Sequence, residues 1–208
     1  MKRDLDKLPI EQILSGSETD EKLKTLMQHQ QAILELLGED SQREGLIKTP
    51  LRVAKSQLFL TSGYQQDPQK IIQSALFRNP NDSNFQHPVT IKDIEYFSLC
   101  EHHMLPFFGR LHIAYIPNEY VVGLSKIPRV VEAFSRRLQI QEKLTVEVRK
   151  AIEEALQPWG VAVAVEGSHL CMMMRGVQNT TSKTLTTSFS GKFNEDALLR
   201  KEFLASFG

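Results

Sequence analysis

The stretch VTIKDIEYFSLCEHHMLPFFGRLHIAYIP, residues 89 to 117, contains two β-strand patterns with a cluster of titratable residues between them. Both ends of the stretch are rich in β-branched and aromatic residues that partly alternate with polar ones, which is typical of strands. Between them a thiol, a carboxylate and two imidazoles stand side by side in CEHH. The stretch therefore predicts two strands joined by a functional connection.

Downstream of this stretch, the pattern indicates two helices and then two more strands. Apolar residues recur at helical spacing in SKIPRVVEAFSRRL (125–138) and EKLTVEVRKAIEEAL (142–156). The segments GVAVAVEGSHLCMMM (160–174) and SKTLTTSFSG (182–191) indicate strands. Two pairs of strands flanking two helices favour an α+β fold, a four-stranded antiparallel sheet with two antiparallel helices on one face. Its outer strands would need partners, which indicates an oligomer.

The N-terminal part of the chain indicates a helical extension. Helical periodicity spans residues 22–37, and TPLRVAKSQLFL (49–60) predicts a second helix. Most of residues 64–86 mix Pro, Asn, Asp and Ser and suggest a connection. We therefore divide the chain into an N-terminal helical extension, residues 1–86, and an α+β domain, residues 87–208.

The composition argues against several classes of partner. The chain has 208 residues, 25 Lys+Arg and 25 Asp+Glu, and no basic arm, so we expect no nucleic-acid and no membrane partner. Its first residues carry charges where a signal peptide needs apolar residues, and no apolar run approaches the roughly 20 residues of a membrane span. We therefore predict a cytoplasmic location. In that reducing compartment the two cysteines favour metal binding or catalysis over a disulfide.

Three residues form a candidate metal site. Cys100 and His103 have the spacing at which a turn can direct both side chains at one ion, and thiolate with imidazole suits zinc. If residues 168–175 form a strand, its period of two puts His169, Cys171 and Arg175 on one face. The apolar run Met172, Met173 and Met174 of that strand is then expected to belong to the core. If Cys100, His103 and Cys171 share one zinc ion, its fourth coordination position stays open for water, as in catalytic zinc sites. With His102 as a fourth ligand the site would instead be structural.

A second cluster has the features of an anion site. In GLSKIPR, residues 123–129, Ser125 is a candidate N-cap, and Lys126 and Arg129 lie in the first helical turn, where backbone N–H groups suit a phosphate. Arg175, beyond the Cys171 segment, is a third cation that can contact phosphate oxygens. A solvated helix end is the alternative interpretation of each of these cations.

Several motifs together resemble the GTP cyclohydrolase I family: SLCEHHMLPFFGRLHIAYIPNEYVVGLSKIPR, QIQEKLT, EGSHLCMMMRGV and TTSFSG, with EGLIKTPLRVAK upstream. The resemblance covers roughly residues 39–207. It implies a hydrolase of cyclic amidine C–N bonds that converts GTP to 7,8-dihydroneopterin triphosphate and formate, the first step of tetrahydrofolate and pterin biosynthesis. It also implies the tunnelling fold (T-fold), in which sheets of neighbouring subunits form a barrel, and a homodecamer with active sites between subunits.

The resemblance also implies roles for the residues at the metal. Cys100, His103 and Cys171 match the family's zinc ligands, whose bound water attacks C8 of the purine. His169 matches the histidine that protonates the imidazole ring nitrogen, which suits a residue that titrates near neutral pH. His102 matches a second catalytic histidine.

Further roles concern substrate binding and the sugar. Glu142 matches the carboxylate that accepts from guanine N1 and its amino group, and Gln141 is expected to contact the same base. Ser125 matches a catalytic residue of the later sugar rearrangement. Lys126, Arg129 and Arg175 match triphosphate contacts, and Arg52 is expected to supply another from a neighbouring subunit.

Two alternatives remain open from the sequence. The first is another tunnelling-fold enzyme that acts on purines or pterins. The second is a zinc-stapled binding module, which predicts a closed site of four ligands and no turnover of GTP. Within the opening stretch, Glu101 suggests a solvent-bridging residue beside the ligands. His112, between Leu111 and Ile113, indicates a hydrogen-bonded structural histidine.

Overall fold

The computed structural model describes residues 17–79 and 87–207, which belong to two compact units. One unit ends at Ser62 and the other begins at Gly63. The sequence analysis placed the boundary at residue 86, whereas residues 63–79 pack within the second unit through a helix and a strand. None of the described helices has the length and apolar content needed to cross a membrane.

The first unit contains two helices, α1 (Ser17–Leu36) and α2 (Thr49–Leu60), which pack on each other. Both agree with the helical periodicity of the sequence. Pro50 lies in the first turn of α2, where a missing N–H costs no helical hydrogen bond. Between the helices, the side-chain amide of Gln30 donates to Oε1 of Gln57 at 3.2 Å.

The second unit is an α+β domain, as the sequence predicts. A short 3₁₀ turn, Ser62–Gln65, lies at its start. Its strands are β1 (Leu76–Arg78), β2 (Val89–Cys100), β3 (Pro106–Ile116), β4 (Tyr120–Val122), β5 (Leu138–Gln139), β6 (Gly160–His169) and β7 (Thr184–Gly191). Its helices are α3 (Pro68–Gln73), α4 (Lys126–Ser135), α5 (Gln141–Leu156), α6 (Leu170–Met173), α7 (Lys192–Glu195) and α8 (Ala197–Ala205). The segment that the sequence suggests is a connection therefore contains α3 and β1.

The main sheet has the strand order β5-β2-β3-β6-β7 and is mixed rather than purely antiparallel. Its four long strands are antiparallel neighbours, as predicted. The prediction of only four strands is wrong, because β5 adds a short parallel pairing to β2 at Leu99 and Cys100. A two-residue strand has no side-chain period that a sequence pattern can reveal. The strands β1 and β4 pair with each other in a second, two-stranded antiparallel sheet.

Helices α4 and α5 cover one face of the sheet, as predicted, and their apolar residues form the main core with it. The opposite face is partly covered by α7 and α8, which the sequence analysis did not place on the sheet. Ala114, Ala162 and Ala164 leave room there for the rings of Phe193 and Phe203. Small side chains on one face of β3 and β6 thus accommodate the C-terminal helices, while the other face carries larger apolar residues.

His112 is a structural residue, as the sequence predicts. It is 4% exposed, and its Nδ1 accepts a hydrogen bond from the backbone N–H of Asp93 at 3.2 Å. Asp93 has a positive φ of 60° at an irregularity in β2, and its carboxylate binds Arg110 at 2.8 Å. The ring of His112 stacks on Phe207, with 3.9 Å between centroids. The histidine therefore links the β2 irregularity to the C-terminal segment.

We expect the substitution His112→Gln to reduce the pH dependence of stability. Burial lowers the pKa of His112. As the pH falls below the ordinary histidine pKa of about 6.5, the imidazole is therefore protonated in the unfolded chain before it is protonated in the folded one. The free energy of unfolding then decreases, because the unfolded state binds more protons. Glutamine does not titrate, and its amide oxygen can still accept from Asp93.

The measurement is the urea midpoint of both proteins between pH 8 and pH 5, and the midpoint of the wild type should fall further. The neighbouring charged groups are common to both proteins, so their titration cancels in the comparison: Asp93, Glu166, Arg110 and Lys92. An equal fall in both would contradict the assignment.

Candidate metal centre and active site

The site begins at the turn between β2 and β3. The carbonyl oxygen of Cys100 accepts hydrogen bonds from the backbone N–H groups of His103 and Met104, at 3.3 and 2.7 Å. Met104 has a positive φ of 53°, which closes the turn. The Sγ atom of Cys100 then lies 3.9 Å from Nδ1 of His102 and 3.8 Å from Nδ1 of His103. The turn therefore brings one thiol and two imidazoles together.

Cys171 reaches the same end of the sheet from β6. Because Phe107 of β3 lies opposite His169, the last residue of β6, the chain that follows β6 meets the β2–β3 turn. The predicted strand through residue 174 is wrong: the chain leaves the sheet after His169 and forms the single turn α6. The ladder ends there because β3 begins at Pro106, which has no N–H to donate.

Two methionines of this turn are exposed, although the sequence predicts that they are buried. The sequence analysis assigned Met172, Met173 and Met174 to the core, on the assumption of a strand. Met172 is 38% exposed and Met174 is 61% exposed. In a helical turn successive side chains point in different directions, so the run of apolar residues does not share one buried face.

The ligand atoms of Cys100, His103 and Cys171 lie within 4.8 Å of one another and can hold a metal ion. A tetrahedral ion with bonds of about 2.3 Å to sulfur and 2.0 Å to nitrogen places its ligand atoms about 3.6 Å apart. The 3.8 Å between Cys100 Sγ and His103 Nδ1 is close to that spacing. Sulfur and nitrogen ligands in this number fit a transition metal such as zinc.

The electrostatics of the two thiols also fit a cation. Burial and the neighbouring Cys100 thiol raise the pKa of Cys171, while the Arg175 guanidinium opposes this shift. A positive ion between the two sulfur atoms would stabilise both as thiolates. His102 lies near Cys100 but outside the group. Within residues 17–79 and 87–207, no fourth His, Cys, Asp or Glu joins the three ligands.

His169 lies at the end of β6, next to the metal-binding group. Its ring is parallel to that of Phe107, with centroids 4.8 Å apart and planes inclined by 3°. Its Nε2 is 2.8 Å from Oε1 of Gln141. Burial lowers the pKa of His169, and the negative charge of Glu142 opposes this shift. Glu142, exposed in the first turn of α5, is therefore close enough to act on the same ring.

Gln141 differs from its neighbour Glu142 in being 1% exposed. Its side-chain nitrogen donates to backbone carbonyl oxygens of Val165 and Thr184, at 2.8 and 2.9 Å. A contact of Gln141 with a nucleobase stays a prediction, and it would require some of these bonds to be given up. Sequence reasoning found Gln141 but missed Phe107, whose only signal is its register opposite His169.

The predicted phosphate residues occupy three different elements. Arg175 follows α6, and its guanidinium contacts Nε2 of His103 at 3.1 Å, beside the metal-binding group. Ser125 is the N-cap of α4 without a side-chain cap bond, followed by Lys126 and Arg129. Within the described part of the chain, no hydrogen bond or ion pair joins these three to the Cys-His group. Arg52 is exposed on α2 of the first unit.

Comparison with known proteins identifies relatives over most of the chain. The model of the family described as GTP cyclohydrolase I matches residues 26–208. The GTP cyclohydrolase 1 of Porphyromonas gingivalis is 52% identical over 191 residues, which are 92% of this chain and 96% of the relative. That of Bacteroides fragilis is 53% identical over 88% of this chain and 91% of the relative. That of Chlorobaculum tepidum is 52% identical over 85% and 77%. These matches confirm the resemblance found in the motifs.

Among solved structures, the archaeosine synthase QueF-Like in its apo form superposes with a TM-score of 0.40. It is 20% identical to this chain, and the superposition covers 50% of this chain and 93% of the other.

We expect Cys171→Ala to abolish metal binding and His169→Ala to preserve it. Cys171 is one of the three residues that can hold the ion, whereas His169 lies outside the group. The measurement is the zinc content of each protein after loading with Zn²⁺ and gel filtration. Met172→Ala, which changes an exposed residue of the same turn, is the matched control and should keep its zinc. A metal-free His169→Ala protein would contradict this division of roles.

Proposed function

The chain belongs to the GTP cyclohydrolase I family and has the activity of that family, and we propose that it opens the imidazole ring of GTP by hydrolysis, releases C8 as formate and rearranges the remainder to 7,8-dihydroneopterin triphosphate. The observation that carries this proposal is the meeting of Cys100, His103 and Cys171 within 4.8 Å, beside His169. This product would be the first intermediate of tetrahydrofolate and pterin biosynthesis.

The proposed cofactor is Zn²⁺, held by Cys100, His103 and Cys171. A zinc ion with three protein ligands supplies a Lewis acid and lowers the pKa of water bound at its open position to about 7. Three ligands favour this role over a zinc-stapled binding module, for which a closed set of four is expected. The donor set and its spacing support the proposal independently of the relatives.

The proton chemistry is assigned to His169 and His102. When C8 leaves the purine, each nitrogen that loses its bond to C8 must take up a proton. His169 is the proposed donor to the imidazole ring nitrogen, because it ends β6 two residues before Cys171 and an imidazole can exchange a proton near neutral pH. His102, exposed on the β2–β3 turn, is the proposed second catalytic histidine.

The substrate contacts are assigned to the residues that match the family's motifs in the sequence. Glu142 would accept from N1–H and the amino group of guanine, because a carboxylate fits a planar edge with two donors. The triphosphate would bind cations from three elements: Lys126 and Arg129 of α4, Arg175 after α6, and Arg52 of a neighbouring subunit. Ser125, next to Lys126, would act in the later rearrangement of the sugar.

The proposed assembly is a homodecamer of the tunnelling fold, in which the sheets of neighbouring subunits form a barrel and the active sites lie between subunits. In the described part of the chain, β7 pairs on one side only, through β6. Such an edge offers backbone donors and acceptors to another strand. A cytoplasmic location and the absence of a nucleic-acid partner stay predictions.

We expect the zinc-loaded protein to convert GTP to formate and a dihydropterin in equal amounts. The measurement combines formate release with the ultraviolet spectrum of the dihydropterin. Cys171→Ala should form neither product, and Met172→Ala should form both. Formate without dihydropterin would limit the proposal to ring opening and would remove the sugar step assigned to Ser125. Neither product from zinc-loaded, assembled wild type would overturn it.

We expect Glu142→Ala to lower kcat/KM for GTP by about 100-fold, because hydrogen bonds to a charged partner contribute roughly 1.5–3 kcal/mol each. The loss should be much smaller for ATP, whose base lacks the matching two-donor edge. The measurement is the ratio of kcat/KM for GTP and ATP. Lys143→Ala, at the next and equally exposed position, is the control. An unchanged preference for GTP would rule out the role of Glu142.

A further inference from the structure

The orientation of the Gln141 side chain is decided by its surroundings. Its nitrogen lies 2.8 Å from the carbonyl oxygen of Val165 and 2.9 Å from that of Thr184. Carbonyl oxygens only accept hydrogen bonds, so the NH₂ group of the amide must occupy this side. The hydrogen-bond network is what distinguishes the oxygen of a side-chain amide from its nitrogen. Here the two backbone acceptors allow only one of the two orientations.

This orientation determines which ring nitrogen of His169 carries hydrogen. The amide oxygen of Gln141 faces Nε2 of His169 at 2.8 Å. An amide oxygen can only accept, so Nε2 must donate, and the neutral ring then has no hydrogen on Nδ1. The parallel ring of Phe107 limits rotation of the imidazole.

The fold makes room for this contact at a glycine. A Cβ atom at Gly167 would collide with Oε1 of Gln141 and with the hydroxyl of Tyr96. Gly167 therefore lets the amide lie directly over β6. Thr145 donates to the backbone oxygen of Gln141 at 2.7 Å, which further holds this first residue of α5 in place.

We propose that Gln141 is a positioning residue, which holds the His169 ring in one orientation with hydrogen on Nε2 and leaves Nδ1 as the nitrogen that serves the substrate. This inference rests on the proposed function, in which His169 is the proton donor in ring opening. To donate, the ring would first carry a proton on both nitrogens, give the Nδ1 proton to the substrate and keep the hydrogen on Nε2 that Gln141 binds. It assigns Gln141 a different role from Glu142: the carboxylate recognises guanine, and the amide orients the histidine. A direct contact with the base would break the bonds that hold the ring.

The kinetic test compares the zinc-loaded wild type with Gln141→Met and Gly167→Ala. Methionine keeps the length of the side chain but cannot accept from His169, and alanine at 167 displaces the amide without removing it. Both variants should lower kcat about 10- to 100-fold, the usual range for residues that orient a functional histidine, with KM for GTP changed less than about threefold.

Thr186→Val is the matched control. Thr186 lies 3.1 Å from the Gln141 nitrogen, but the two carbonyl oxygens still hold the amide when its hydroxyl is removed. This variant should keep both kcat and KM. A raised KM with unchanged kcat in Gln141→Met, or a lost preference for GTP over ATP, would overturn the proposal in favour of a contact with the base.

A spectroscopic measurement keeps the test decisive if Gln141→Met is inactive or less stable. In protein labelled with ring-¹⁵N histidine, solid-state NMR distinguishes protonated from unprotonated ring nitrogens, and His169→Gln identifies the signals of His169. We expect hydrogen on Nε2 in the wild type and a mixture of both forms in folded, zinc-loaded Gln141→Met. The same single form in both proteins would overturn the proposal. A wild type without formate release would overturn the proposed function instead, because the NMR result does not depend on turnover.

Discussion

The antiparallel pairing of β3 with β6 is the constraint on which the site depends. In this register Phe107 lies opposite His169, and Leu111 and Ile113 lie opposite Val165 and Val163. These large apolar side chains share the face that packs on α4 and α5, whereas the alanines of both strands face the C-terminal helices. A shift by one residue would exchange the two faces, so the core holds the register strongly. The same register brings the segment after β6 to the turn after β2.

The metal-binding group therefore combines local and distant contributions. Cys100 and His103 meet because a tight turn follows β2 directly, and this turn would form the same pair on any similar hairpin. Cys171 joins them only because the ladder ends at His169 and the chain turns immediately into α6. A longer strand would carry the second thiol past the turn. The end of the β3–β6 ladder at Phe107 and His169 thus decides where Cys171 lies.

The start of α5 places two adjacent polar residues beside His169. Gln141 is buried against β6 and β7, while Glu142 is exposed and acts electrostatically on His169. Two adjacent residues thereby face in different directions at the first turn of one helix. Burying an amide costs free energy unless its donors and acceptor are all paired, and here backbone carbonyl groups of β6 and β7 and the ring of His169 supply the partners. Because all its hydrogen bonds are made, the Gln141 amide has one orientation, in which its oxygen faces the ring of His169.

The sequence by itself determined the four long strands, the two helices on the sheet, the three candidate metal ligands and the family, because each depends on local periodicity or on motifs. It did not reveal α3, β1 or β5, which are too short to show a period, nor the exposure of Met172 and Met174. The exposure of these methionines depends on where the pairing of β6 with β3 ends. Only the tertiary structure decided that Gln141 is buried and holds His169, because its partners lie more than twenty residues away along the chain. Hydrogen bonds of this kind have no pattern in sequence, since their geometry exists only once the sheet and α5 have packed.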